Sequence, residues 1–171
     1  MTPRRQLELR PATEADVRAM VELQLESWRE GFVPILPDEF QVPDPDSFRP
    51  RLAEALRGKG VNSTLAFDGD DLLGWVTYGV NRDSDAEPGD GELRSIFVHP
   101  DAWRSGVGTA LLEHALSELA REGYSAATLW SFDDNDRANA FYERHGFERD
   151  GAGQRREFSA GALEVRYRRR L

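Results

Sequence analysis

The chain has 171 residues, 39% hydrophobic and 31% charged, which suits one domain with a sizeable core and excludes a disordered chain. A net charge of −9 disfavours nucleic acid and anionic membranes as partners, and the lack of cysteine excludes disulfides and thiolate chemistry. No stretch approaches the roughly 20 apolar residues of a membrane span.

Residues 1–16 carry Arg4 and Arg5 with no apolar run behind them, so no signal peptide is expected, and a cytoplasmic location is the default. Leu7 to Arg10 reads as a short strand broken by Pro11. Thr13, three residues before Asp16, starts a helix in the manner of a capping box. Val17, Met20, Val21, Leu23 and Leu25 give that helix an apolar face as far as about Glu30. Residues 33–45 are a proline-rich loop, and residues 46–60 predict a second helix ended by Gly58 and Gly60.

From Ser63 the period changes. Residues 63–80 predict two strands joined by the hairpin signal Asp68-Gly69-Asp70-Asp71. An acidic loop, 81–91, leads to a third strand over 92–100. A helix from about Ser105 to Glu122 places Leu112, Leu116, Leu119 and Ala120 at helical spacing and stops at Gly123. Residues 126–132 predict a strand, 133–146 a short helix with Gly146 past its end, and 147–171 two strands around Ser159-Ala160-Gly161. With no internal repeat or linker, residues 1–171 read as one α/β or α+β domain with a mixed sheet.

Two stretches point to chemistry. The first, Trp103 to Gly108, joins a strand to a helix. Unpaired N–H groups at a helix N-terminus attract anions, and glycine lets an anion approach the backbone; a tight turn is the alternative reading. Known nucleotide loops fit badly: Thr109-Ala110 follows the second glycine, and Leu111 stands where a dinucleotide fingerprint needs glycine or alanine. The second stretch is Asn135 to Phe147. Phe141 and Tyr142 lie about 100° apart on a helix, so one of them serves a second surface unless Tyr142 simply packs.

Together these stretches resemble the GNAT superfamily of N-acetyltransferases. The family pattern Gln/Arg-x-x-Gly-x-Gly/Ala, between strand and helix, matches Trp103 to Gly108, with tryptophan in the first position and the arginine one residue later. The later pattern matches Asn135, Ala138 and the run Tyr142-Glu143-Arg144-His145-Gly146-Phe147. The resemblance covers most of the chain and is strongest from Glu92 to Phe147. It implies a single GNAT-like domain with a central mixed, mostly antiparallel sheet flanked by helices. It also implies acetyl transfer from acetyl-CoA to a primary amine by direct attack in a ternary complex.

The resemblance implies roles as well. Arg104, Ser105, Gly106, Val107, Gly108 and Thr109 hold the pyrophosphate, mainly through backbone amides. Ile96, Phe97 and Val98 pair with the pantetheine as a strand would, and the Val98 N–H stabilises the oxyanion. Tyr142 protonates the leaving thiolate, or else only hydrogen-bonds or packs on the sulfur. Asn135 contacts CoA, caps its helix, or does both. Glu92 is the candidate base, directly or through water, because even spacing puts Glu92, Arg94, Ile96 and Val98 on one strand face; an exposed strand-end glutamate is the alternative.

Trp28, Phe32 and the following loop, with Tyr78 and Trp130, are expected to line the acceptor pocket, where aromatics plus acids suit a cationic amine; otherwise they are core. The acceptor stays open among a small amine, an amino acid, an antibiotic and a protein N-terminus. No metal is expected, because His99, His114 and His145 are scattered and Asp83, Asp85 and Glu87 do not complete a calcium loop. A homodimer through the late strands fits the family pattern. The rival readings are a non-catalytic acyl-CoA-binding sensor on the same fold, and an interaction protein whose glycine loop is only a turn.

Overall fold

Alternation of apolar residues between 61 and 98 builds the middle of a seven-stranded sheet in the computed structural model, which describes residues 7–171. Arg4 and Arg5 of the leader expectation lie outside the described residues. The strands are β1 (Glu8–Pro11), β2 (Val61–Asp68), β3 (Asp71–Val80), β4 (Asp90–Val98), β5 (Ala126–Phe132), β6 (Glu148–Arg155) and β7 (Leu163–Arg170). Their order across the sheet is β1-β2-β3-β4-β5-β7-β6, and every neighbouring pair is antiparallel except β4 and β5. The mixed, mostly antiparallel sheet expected from the sequence is therefore present.

Helices cover both faces. On one side lie α1 (Val17–Gly31) and α2 (Pro45–Leu56), which bury Met20, Val21, Leu25 and Leu52 against Leu65 and Trp75. The Trp75 indole N–H donates to the Met20 carbonyl at 3.1 Å, which satisfies the polar atom of the largest fully buried side chain in this core. On the other side lie α3 (Val107–Arg121) and α4 (Asp136–Arg144). Val107, Leu111, Leu112, Ala115, Leu119 and Tyr142 pack there against Val76, Leu93, Leu129 and Tyr167.

Tyr78 belongs to this second core and not to an acceptor pocket. It shares the face of Val76, is 3% exposed, and lies edge-on to His114 of α3. The sequence identifies an aromatic strand residue without saying which helix layer covers it.

Two local features position the site. In β4, Ser95 pairs with Thr77 but Leu93 pairs with Tyr78, so Arg94 is an extra residue, a β-bulge. The bulge shifts the side-chain alternation by one. Leu93 before it and Ile96 and Val98 after it all face α3, while Phe97 packs against Trp75 and Trp28 on the α1 side. Glu92 is thus on the opposite face from Ile96 and Val98, and the single-face expectation for residues 92 to 98 fails.

The second feature is that β4 and β5 pair only through Asp90, Gly91 and Glu92, opposite Ala126, Ala127 and Thr128, and then part. On the other side of β4, the His99 N–H donates to Leu73 O at 2.8 Å. Bonding direction alternates along an antiparallel ladder, so Ile96 and Val98 turn their N–H and C=O groups away from β3 and into the gap.

Asp16 fixes the start of α1 to the sheet edge. Its carboxylate accepts both Arg10 guanidinium nitrogens, at 2.8 and 2.9 Å, and the Thr13 backbone N–H and hydroxyl, at 2.8 and 3.0 Å. Arg10 chiefly, and Thr13 beside it, pull the Asp16 pKa from 3.8 to about 2. A carboxylate whose folded pKa is depressed stabilises the fold above its unfolded value, and that contribution is lost as pH falls through the folded value. Asp16→Asn is expected to cost about 1–2 kcal/mol at pH 7, after allowance for the partly exposed Arg10. The gap to wild type should close between about pH 4 and pH 2 in urea unfolding.

Candidate active site

The parting of β4 and β5 opens into a cavity of about 1280 Å³ that reaches from the start of α3 and α4 to the inner side of α1 and α2. Ile96, Phe97 and Val98 lie on its wall, with Arg104, Gly106, Gly108, Thr109, Asn135, Tyr142, Trp28, Phe32 and Trp130. Of the residues expected at a site, the fold brings these together and leaves out Glu92, Ser105, Val107 and Tyr78.

The α3 end of the cavity is built by backbone. Gly106 precedes the helix with φ of 91°, a left-handed conformation that a side chain disfavours, and this is why α3 begins at Val107 and not at Ser105. The first helical bond there runs from the Ala110 N–H to Gly106 O, so the N–H groups of Val107, Gly108 and Thr109 have no backbone acceptor. Gly108 needs no glycine for packing: a Cβ there would sit 3.5 Å from Phe141, an ordinary contact. Its missing side chain keeps the cavity wall open. Ser105 is turned away, its hydroxyl donating to Ala102 O at 2.6 Å, and the Val107 side chain is fully buried in the core. Of Val107, only the backbone N–H is left free at this end.

Trp103 takes a different part from the Gln or Arg of the family pattern. Its indole N–H donates to Val98 O at 2.9 Å, which satisfies one of the carbonyls freed by the strand gap. The guanidinium of Arg137 stacks on its ring, 3.3 Å from the centroid. Arg137 lines the cavity, has no ion pair among the described residues, and has its pKa lowered by burial. No motif of the sequence marks it. The available signal was a cation in the first turn of a helix, where the dipole disfavours positive charge.

Tyr142 is buried between Phe141, Phe147 and Tyr167, with its hydroxyl free of hydrogen bonds among the described residues. Burial pushes the phenol well above its ordinary pKa, and Arg137 pulls it part of the way back. The group therefore holds its proton at neutral pH and can donate it. Asn135 caps α4 by accepting the Ala138 N–H at 3.3 Å and also reaches the cavity wall.

Glu92 is neither an accessible base nor an exposed strand end. It is 2% exposed and accepts two nitrogens of Arg82, at 2.7 and 2.9 Å, with the Arg82 backbone N–H at 3.2 Å. Arg94 Nε lies 3.8 Å from it. The carboxylate thus anchors Arg82, which does line the cavity, with Arg94 of the same wall close by. Toward α1 and α2 the wall is aromatic, with Trp28, Phe32, Phe40, Phe48, Phe132 and Phe158. The acids expected beside these rings are largely replaced by arginines, which are scattered along the sequence and carry no local signal. Trp130 is fixed by donating to the Asp83 carboxylate at 3.0 and 3.1 Å. Among the described residues there is no cluster of His, Cys, Asp and Glu able to hold a metal, and no helix long and apolar enough to cross a membrane.

Residues 19–147 match the model of the acetyltransferase (GNAT) family. A mycothiol acetyltransferase of Geodermatophilus obscurus is 40% identical over 86 residues, half of this chain; the chain spans 28% of that relative's length. The uncharacterized N-acetyltransferase YuaI of Bacillus subtilis is 27% identical over 143 residues, covering 82% of this chain and 80% of its own. The crystal structure of PaiA N-acetyltransferase from Thermoplasma acidophilum in complex with coenzyme A superposes with a TM-score of 0.77 at 17% identity, over 97% of this chain and 99% of that one.

The anchoring role of Glu92 has a measurable consequence. Arg82→Ala leaves a buried carboxylate without its main partner and is expected to cost about 3 kcal/mol in urea unfolding. Adding Glu92→Gln should recover part of that loss, because the remaining group is neutral.

Proposed function

Because the chain belongs to the GNAT family of acetyltransferases, we propose that it transfers an acetyl group from acetyl-CoA to a primary amine, with both substrates bound together. One observation carries this reading. Gly108 and Thr109 with their free N–H groups, the unpaired edge of β4 and Tyr142 all line one cavity.

The residues present suit acetyl-CoA. The N–H groups of Val107, Gly108 and Thr109, at the positive end of a helix of 15 residues, form a diphosphate cradle, with Arg104 and Arg137 as adjacent cations. The edge of β4 from Ile96 to Val98 offers an extended chain of amides a strand-like partner. When bound, acetyl-CoA supplies an acetyl thioester that the amine attacks directly.

The chain's own groups then act on the charges that this attack creates. The Val98 N–H, aimed into the strand gap, donates to the oxygen on which negative charge develops. Tyr142 gives its hydroxyl proton to the departing sulfur as the carbon–sulfur bond breaks, and the proton that the attacking nitrogen sheds on becoming an amide leaves to water, from which the phenol is restored. Arg137, whose field already favours the phenolate, steadies the Tyr142 oxygen after that transfer. Glu92 contributes at one remove by fixing Arg82.

Two variants test these roles separately. Gly108→Glu puts a carboxylate in the first turn of α3, where the helix dipole favours it and space exists, so the melting temperature should hold or rise. The same carboxylate faces the diphosphate position, and calorimetric affinity for acetyl-CoA should fall at least about tenfold. Unchanged affinity would remove the cradle. Tyr142→Phe should lower kcat by about 100-fold or more while leaving acetyl-CoA affinity near wild type, read from free-thiol release with an amine panel. A wild-type kcat would end the acid role.

A further inference from the structure

The half of the cavity toward α1 and α2 combines aromatic walls with an excess of positive charge. Arg51, Arg82, Arg94 and Arg156 line it, and Glu164 is the carboxylate among its lining residues. Glu164 holds Arg156 at 2.8 and 2.9 Å, and the buried Glu92 behind the wall holds Arg82. Four guanidinium groups against two carboxylates leave two positive charges over, in a chain whose net charge is −9. A cationic ligand with no acid of its own would be repelled there.

Arg94 is the most buried of the four. Its side chain is 16% exposed, and its Nη2 donates to Val80 O at 2.8 Å. Its Nε is buried with no hydrogen-bond partner, since Glu92 stands off at 3.8 Å. Burial and the field of Arg82 act against its charge. Gln24 Oε1 and Trp28 Nε1, on other residues of the same cavity, are likewise buried without partners. A site with an under-neutralised guanidinium beside aromatic rings matches a ligand that brings an anion and an apolar group together.

We propose that the acceptor is a primary amine carrying a carboxylate and an apolar side chain, the chemistry of a free amino acid, with the carboxylate docked at Arg94 beside Arg82 and the side chain against Trp28, Phe48 and Phe158. This identification rests on the acetyl-transfer reading above. It replaces the expectation of an acid-lined pocket for a cation.

Matched ligands that differ only in the acid test it. N-acetyl-L-phenylalanine and its neutral amide, N-acetyl-L-phenylalaninamide, are titrated calorimetrically into the wild-type protein with and without CoA. The acid should bind about tenfold or more tightly than the amide. In Arg94→Gln the preference should collapse toward unity, and Arg94→Lys should restore part of it, with melting curves reporting whether each variant is folded. The wild-type ratio stands even if Arg94→Gln does not fold. Equal or tighter binding of the amide overturns the proposal, as does failure of both ligands to bind.

Turnover of L-phenylalanine and L-phenylalaninamide with acetyl-CoA separates the two levels. Acetylation of the amide but not the acid defeats the acceptor assignment and keeps acetyl transfer. Preferential binding of the acid with no turnover of either amine keeps the carboxylate site at Arg94 and defeats acetyl transfer.

Discussion

A strand inside a sheet must satisfy its backbone groups on both sides, and β4 does so with a neighbouring strand on only one for most of its length. The site follows from that constraint. Past Glu92 the partner strand diverges, and the amides and carbonyls of residues 96 and 98 face a gap. Buried polar backbone left unpaired is costly. The chain answers with the Trp103 indole on one carbonyl and leaves the other groups to whatever enters the cavity. The bulge at Arg94 belongs to the same solution, because it bends β4 at the parting and re-aims the side chains on either side.

The two ends of the cavity are made from different materials. Near α3 the working groups are backbone amides, with Gly106 setting the turn and Gly108 leaving room. Near α1 and α2 they are side chains: rings, and arginines held by buried carboxylates. Backbone recognition suits a ligand part that is constant, whereas side-chain recognition suits one that differs between proteins. Tyr142 and Arg137 stand on α4, whose first turn faces both ends.

Much of this was legible in the sequence. Local signals marked the elements, and β5 and α4 follow their turn and cap residues closely. The glycine loop and the run from Asn135 to Phe147 were readable because each acts within a few consecutive residues. What escaped depends on long-range register. No local signal marked the extra residue at Arg94, and without it the alternation from Glu92 to Val98 predicts the wrong face. Pairing across distance escaped too. Glu92 reads as a free base until Arg82 closes on it, and Tyr78 reads as a pocket residue until α3 covers its side of the sheet. Arg137 was hidden because its partner, Trp103, lies 34 positions earlier and looked like a departure from a pattern.

The sheet divides the apolar interior into two cores that share no residue, one under α1 and α2 and the other under α3 and α4. The cavity runs along their border and draws walls from each. Sequence drift in the first core can therefore reshape the aromatic end of the cavity while the second keeps the α3 end intact, since changes at separated sites combine nearly additively. Divergence under such a division is easy: a lineage can alter one end of the cavity without rebuilding the other.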